Sequence, residues 1–143
     1  MEKEIILFVR GEQTYDGVSP EVTELATEGV MTIREDGEMV LTYQESEITG
    51  MEGTTTRFTI RGGTVVLERA GLIVSRMEFK QGERSSSFYE TPWGTMEVDI
   101  VTTKLAHRFT ERGGVMEIAC TIAVNHQVTG ENRFKVRVKE AAR

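Results

Sequence analysis

The chain has 143 residues, 38 % of them hydrophobic and 28 % charged, with a formal net charge of −6. That length suits one domain with a core of its own, and the acidic balance argues against nucleic acids and other polyanions as partners. The single cysteine, Cys120, excludes an intrachain disulfide and fits a reducing compartment, while no apolar run reaches the length that spans a bilayer.

Residues 4–11 alternate, with Ile5, Leu7 and Val9 on one face. Ile6 and Phe8 make the other face apolar too, which predicts a strand covered on both sides. A loop is expected over residues 16–20. Ser19-Pro20-Glu21 has the chemistry of a helix start, but residues 22–34 alternate and read as a strand. Asp36-Gly37 lies between alternating runs and predicts a hairpin through a type I′ turn. Met39, Leu41 and Tyr43 then share the inner face of the returning strand. Beyond a loop at 50–53, residues 54–61 are rich in β-branched threonine, with Phe58 and Ile60 in phase. Turns at Gly62-Gly63, at Gly71 and at 81–83 separate runs that carry Val65 and Leu67, then Ile73, Met77 and Phe79. A polar strand over 85–90 ends at Thr91-Pro92-Trp93-Gly94. The run over 95–111 changes phase: Met96, Val98 and Ile100 share one face, Val101, Leu105 and Phe109 the other. A β-bulge near Thr102–Thr103 would produce that switch. Gly113-Gly114 turns the chain into residues 115–126, where Met116, Ile118, Cys120, Ile122 and Val124 share a face. A turn over 129–132 leads to a last strand over 133–139.

About ten segments joined by short turns predict an all-β protein. The expected form is a single antiparallel meander β-barrel of eight to ten strands over residues 1–143, since closure removes exposed edges. No βαβ spacing is present, so no parallel sheet is expected.

Two stretches go beyond pattern. One is Tyr43-Gln44-Glu45-Ser46 running into Gly50-Met51-Glu52-Gly53-Thr54-Thr55-Thr56; the other is Phe88-Tyr89-Glu90-Thr91-Pro92-Trp93-Gly94-Thr95-Met96-Glu97. With Gly113-Gly114 between two late strands, the chain resembles the YwiB-like family of small, uncharacterised bacterial proteins over nearly its whole length. The resemblance implies a calycin-type, lipocalin-like barrel. It carries no established activity, substrate or catalytic residue, and a fold does not fix a function.

The best site candidates are polar residues that interrupt apolar faces. Glu45 follows Met39, Leu41 and Tyr43 in phase, Arg69 follows Val65 and Leu67, and Ser75 lies between Ile73 and Met77. Thr102 and Lys104 follow Met96, Val98 and Ile100. A buried charge needs a partner or an aqueous cavity, so Glu45, Arg69 and Lys104 are expected to ring one mouth of the barrel. Tyr43, Glu45, Arg69, Ser75, Thr102 and Lys104 form the candidate ligand-binding set. A cavity there would be walled by Leu41, Phe58, Ile73, Met77 and Ile100, with Arg69 suited to an anionic head group. Against it, Phe58, Met77, Phe79, Met96, Met116 and Phe134 are expected inward and tend to fill a small barrel.

Other chemistry is thin. Glu97 and Asp99 are two apart on a strand and read as solvated outer-face residues. His107 and His126 lack metal-ligand spacing. Cys120 reads as a buried, inert thiol, and Ser85-Ser86-Ser87 lacks a nucleophile elbow. Arg133, Lys135, Arg137 and Lys139 form a basic outer stripe that Arg108 and Arg112 could extend, with no aromatic on the same face of that strand to stack a base. Trp93 is expected to pack over a barrel end. No cofactor, metal or membrane partner is expected. The leading expectation is a cytoplasmic, non-catalytic binder of a small amphipathic ligand. A structural or protein-interaction module using the outer sheet, in homodimeric form among others, is the alternative, and an enzyme ranks last.

Overall fold

The computed structural model describes residues 1–14, 19–47 and 50–141. Ten strands follow one another: β1 (Glu2–Thr14), β2 (Glu21–Ile33), β3 (Met39–Gln44), β4 (Thr54–Arg61), β5 (Thr64–Gly71), β6 (Val74–Lys80), β7 (Arg84–Thr91), β8 (Gly94–Thr110), β9 (Gly113–Val124) and β10 (Gln127–Glu140). Each pairs antiparallel with its neighbour in sequence, and β1 pairs with β10 to close a ten-stranded meander barrel. The strand expected after Pro20 is present as β2. Of the loop expected over 16–20, residues 16–18 lie outside the described residues.

The turns follow local chemistry, though not always the expected one. The β2–β3 hairpin forms, but as a five-residue loop. Gly37 takes φ +88° while Asp36 does not take positive φ, and Asp36 Oδ1 instead accepts a hydrogen bond from the Glu38 amide at 2.9 Å. Positive φ at both central residues occurs elsewhere, at Asn125 (49°) and His126 (69°), between the paired residues Val124 and Gln127. Asparagine and histidine tolerate that region better than other side chains. The turn expected at 129–132 is therefore strand, and β10 starts six residues earlier than the sequence suggested.

The bulge predicted in β8 is present between Thr102 and Lys104. Its extra residue, Thr103, donates its hydroxyl to the carbonyl of Ala119 on β9 at 3.1 Å. β10 has a second bulge between Val128 and Gly130, where Thr129 donates to the carbonyl of Ile122, also on β9, at 3.1 Å. In both bulges a threonine hydroxyl satisfies a carbonyl of the facing strand.

Ile5, Leu7, Met31, Leu41, Phe58, Val65, Phe79, Ile100 and Ile118 are among the fully buried residues that pack the interior. One seam is thin: β6 pairs with β7 only at Val74–Glu90 and Ser75–Tyr89. Past it, Gly82 donates to the carbonyl of Thr102 at 2.8 Å, so the turn after β6 is held by β8. Trp93, at the tip of the β7–β8 turn, is 88 % exposed and does not cover the barrel end. A tip between two hydrogen-bonded strands extends beyond the wall instead of folding over it.

Candidate functional site

The interior is packed over most of its length but opens at one mouth into a cavity of about 480 Å³. Its apolar wall includes Val9, Leu25, Phe58 and Phe134, and its polar groups include Tyr43, Glu45, Arg69 and Asn132. The side chains reach it through register. Tyr43, Thr56, Arg69 and Ser75 are successive cross-strand partners from β3 to β6, so they stand side by side in one ring of the barrel. Gln13, Asn132, Cys120 and Thr102 are such partners across β1, β10, β9 and β8.

Glu45 sits just past β3, its amide bonded to the Thr54 carbonyl at 2.8 Å. Its carboxylate accepts a hydrogen bond from the Thr56 hydroxyl and lies 3.8 Å from Arg69 Nε. The side chains of Arg69 and Glu45 are 12 % and 1 % exposed, so this is a desolvated ion pair. Burial, and next the charge of Glu45, raise the Tyr43 hydroxyl well above its ordinary pKa, so the phenol stays neutral.

Three of the six candidate residues, Tyr43, Glu45 and Arg69, thus meet at the cavity. Ser75 and Thr102 are buried on the inner face but do not line it, and neither hydroxyl has a hydrogen-bond partner among the described residues. Lys104 is misplaced by the sequence reading. The extra residue Thr103 reverses the phase of β8, so Lys104 faces out and bonds Glu117 at 3.2 Å. The wall also differs from expectation. Phe58 lines the cavity, but Leu41, Ile73, Met77 and Ile100 do not; Val9, Leu25 and Phe134 from β1, β2 and β10 take their place. Asn132 was not anticipated, although it lies in phase with Phe134, Val136 and Val138. Its Nδ2 is a buried donor without a hydrogen-bond acceptor among the described residues.

Two polar clusters differ from the sequence reading. Asp99 is only 6 % exposed: Ser86 donates to it, and His126 approaches both it (3.7 Å) and Glu97 (3.4 Å). The β9–β10 turn brings His126 there, which sequence spacing could not show. On the outer face Phe8 lies 4.6 Å under the Arg137 guanidinium and 5.6 Å from Lys139 Nζ. The basic stripe therefore does have an aromatic neighbour, supplied by β1. His107 packs against Phe109 and its Nε2 is 2.6 Å from the Gly62 carbonyl.

Cys120 is fully buried, and burial, then the charge of Glu131, push its thiol up to about 12. The folded state therefore holds this proton more tightly than the unfolded chain. The stabilisation is complete below the ordinary thiol pKa and is lost as pH rises from about 9 towards about 12. Folding stability should fall over that window by at most about 1.4 kcal/mol per pH unit from this group. Denaturant titrations at several pH values should show the slope, and Cys120→Ser should flatten it between about pH 9 and 10, below the range where the raised Tyr43 hydroxyl adds its own slope. An equally steep slope in the variant would exclude the thiol as its source.

The fold is a calycin-like ten-stranded barrel with a cavity of about 480 Å³ at one mouth. Residues 8–136 match the family described as a domain of unknown function, DUF1934, and the chain belongs to that family. Among solved structures it is similar to the ywiB protein from Bacillus subtilis, at 20 % identity and a TM-score of 0.86, covering 99 % of this chain and 94 % of that one. No curated protein matches the sequence. No helix among the described residues is long and apolar enough to cross a membrane.

Proposed function

We propose that this protein is a one-domain, non-catalytic binder of a small amphipathic molecule held at the barrel mouth. The observation that supports this most is the cavity of about 480 Å³, which joins an apolar wall of Val9, Leu25, Phe58 and Phe134 to a polar rim. Small-molecule sites typically have that volume. The apolar part of a ligand would be held by area removed from water, at roughly 25 cal/mol per Å². A buried free thiol suits a cytoplasmic setting.

Gly11 supplies a test. It lines the cavity, and a Cβ added there meets nothing within 4 Å. Gly11→Phe should fill the site while the barrel stays folded. An environment-sensitive amphipathic probe should bind the wild type and lose at least about tenfold in affinity in the variant, roughly 1.4 kcal/mol. Binding that ignores this substitution would place the site elsewhere.

A second reading has its own observation. A groove of about 800 Å³ crosses the outer face of β2, β1, β10, β9 and β8, with Phe8, Arg10, Ala26, Arg108, Val115 and Arg137 in its lining. Arg108, Lys135 and Arg137 make no ion pair among the described residues, and Val115 is 51 % exposed. An acidic protein surface, including that of a second copy of this −6 chain, would complement it. Absence of probe binding together with a salt-sensitive dimer in sedimentation equilibrium would favour this interface over the cavity.

A further inference from the structure

We infer that the ligand of the mouth cavity carries a cationic head group, with a neutral hydrogen-bond acceptor such as an amide or ester carbonyl one layer deeper; this rests on the binding role proposed above. The charges around the cavity carry the argument. Glu21, Glu45 and Glu47 line it, as does Glu12, whose carboxylate is paired with Arg10 at 3.7 Å; among the described residues the cation in the lining is Arg69. Sequence alone suggested Arg69 as a receptor for a carboxylate, but the structure commits it. Its guanidinium lies 3.8 Å from Glu45, and both side chains are withdrawn from solvent. An incoming anion would compete with Glu45 for Arg69 after passing Glu21 and Glu47.

The rim therefore has an excess of negative charge, and two of its carboxylates, Glu21 and Glu47, belong to exposed residues at the entrance. A cavity mouth lined by one sign of charge concentrates ligands of the other sign and repels its own. Below the rim the demand changes. Asn132 Nδ2 is a buried donor with no acceptor among the described residues, and Asn132 lines the cavity. Buried donors in a native site call for a partner, and a carbonyl on the ligand supplies one without adding charge. The apolar wall of Val9, Leu25, Phe58 and Phe134 then takes the tail. One molecule satisfies all three layers: an amphiphile with an ammonium head, a carbonyl and a short apolar chain.

The test is displacement of a neutral environment-sensitive probe from the full-length protein by three twelve-carbon competitors below their micelle concentrations. These are a quaternary ammonium, a carboxylate and an ammonium bearing an amide next to its chain. The ammonium should displace the probe at a concentration at least about tenfold lower than the carboxylate in low salt, with the gap closing as salt is raised. The amide-bearing ammonium should be the strongest of the three. Glu21→Gln with Glu47→Gln, both at exposed positions, should shrink the preference severalfold, read as the ratio of the two displacement concentrations. Equal or stronger displacement by the carboxylate would overturn the charge assignment and leave the binding role intact. Failure of the neutral probe to bind would remove both.

Discussion

Gly113→Ala is expected to destabilise the barrel by at least about 3 kcal/mol. Gly113 opens β9 with φ +130°, a region that side chains other than hydrogen rarely adopt, and such strain costs about 1–3 kcal/mol. A Cβ there would also lie 2.2 Å from the Val138 carbonyl oxygen. That oxygen belongs to the backbone of β10, so it can move only if the β9–β10 ladder moves with it. The two costs add because neither is relieved by a rotamer change. Gly63→Ala provides the control: a Cβ there meets nothing within 4 Å, and its effect should stay within about 0.5 kcal/mol. Urea unfolding followed by far-ultraviolet circular dichroism measures both. Equal midpoints for the two variants would mean that the barrel wall adapts at Gly113.

Arg69→Met should cost about 3 kcal/mol, because it removes the cation that faces a carboxylate only 1 % exposed. Glu45→Gln should cost less. The amide keeps the shape and can still accept from Thr56, which donates to Glu45 in the native structure. The double variant should recover part of the loss, giving a coupling of about 1–3 kcal/mol between the two positions. Strict additivity in the double-mutant cycle would show that the two side chains do not depend on each other. The same variants bear on the cavity, since removing the pair replaces two charged groups by neutral ones. Probe binding that survives in the double variant would locate affinity in the apolar wall.

The architecture was largely legible before any coordinates. Period-2 alternation with short turns leaves few alternatives to an antiparallel meander, because each strand has one face to bury and each turn returns the chain beside itself. The phase change at Val101 even located the bulge at Thr102–Thr103, since a bulge is the local event that exchanges the two faces of a strand. The consequence for Lys104 follows from the same event. Phase counted from Ile100 places Lys104 inside, while phase counted through Thr103 places it outside, where it meets Glu117.

Tyr43, Glu45 and Arg69 were legible as inward-facing polar residues for a local reason. A charge or phenol in phase with a buried apolar face has to be accommodated at that face, and alternation along one strand is enough to expose the conflict. Which groups would meet was not decided along the strand. Arg69 reaches Glu45 only through two intervening pairings, Tyr43–Thr56 and Thr56–Arg69, and the wall comes from β1, β2 and β10 because closure brings the chain's two ends together. Asn132, the Phe8–Arg137 stack and the approach of His126 to Asp99 are of the same kind. Strand identity and facing direction are properties of near neighbours in sequence, so the amino-acid order by itself determined them. The sign of charge at the mouth, the partner of Arg69 and the volume left unfilled depend on residues far apart in sequence, and only closure of the barrel decided them.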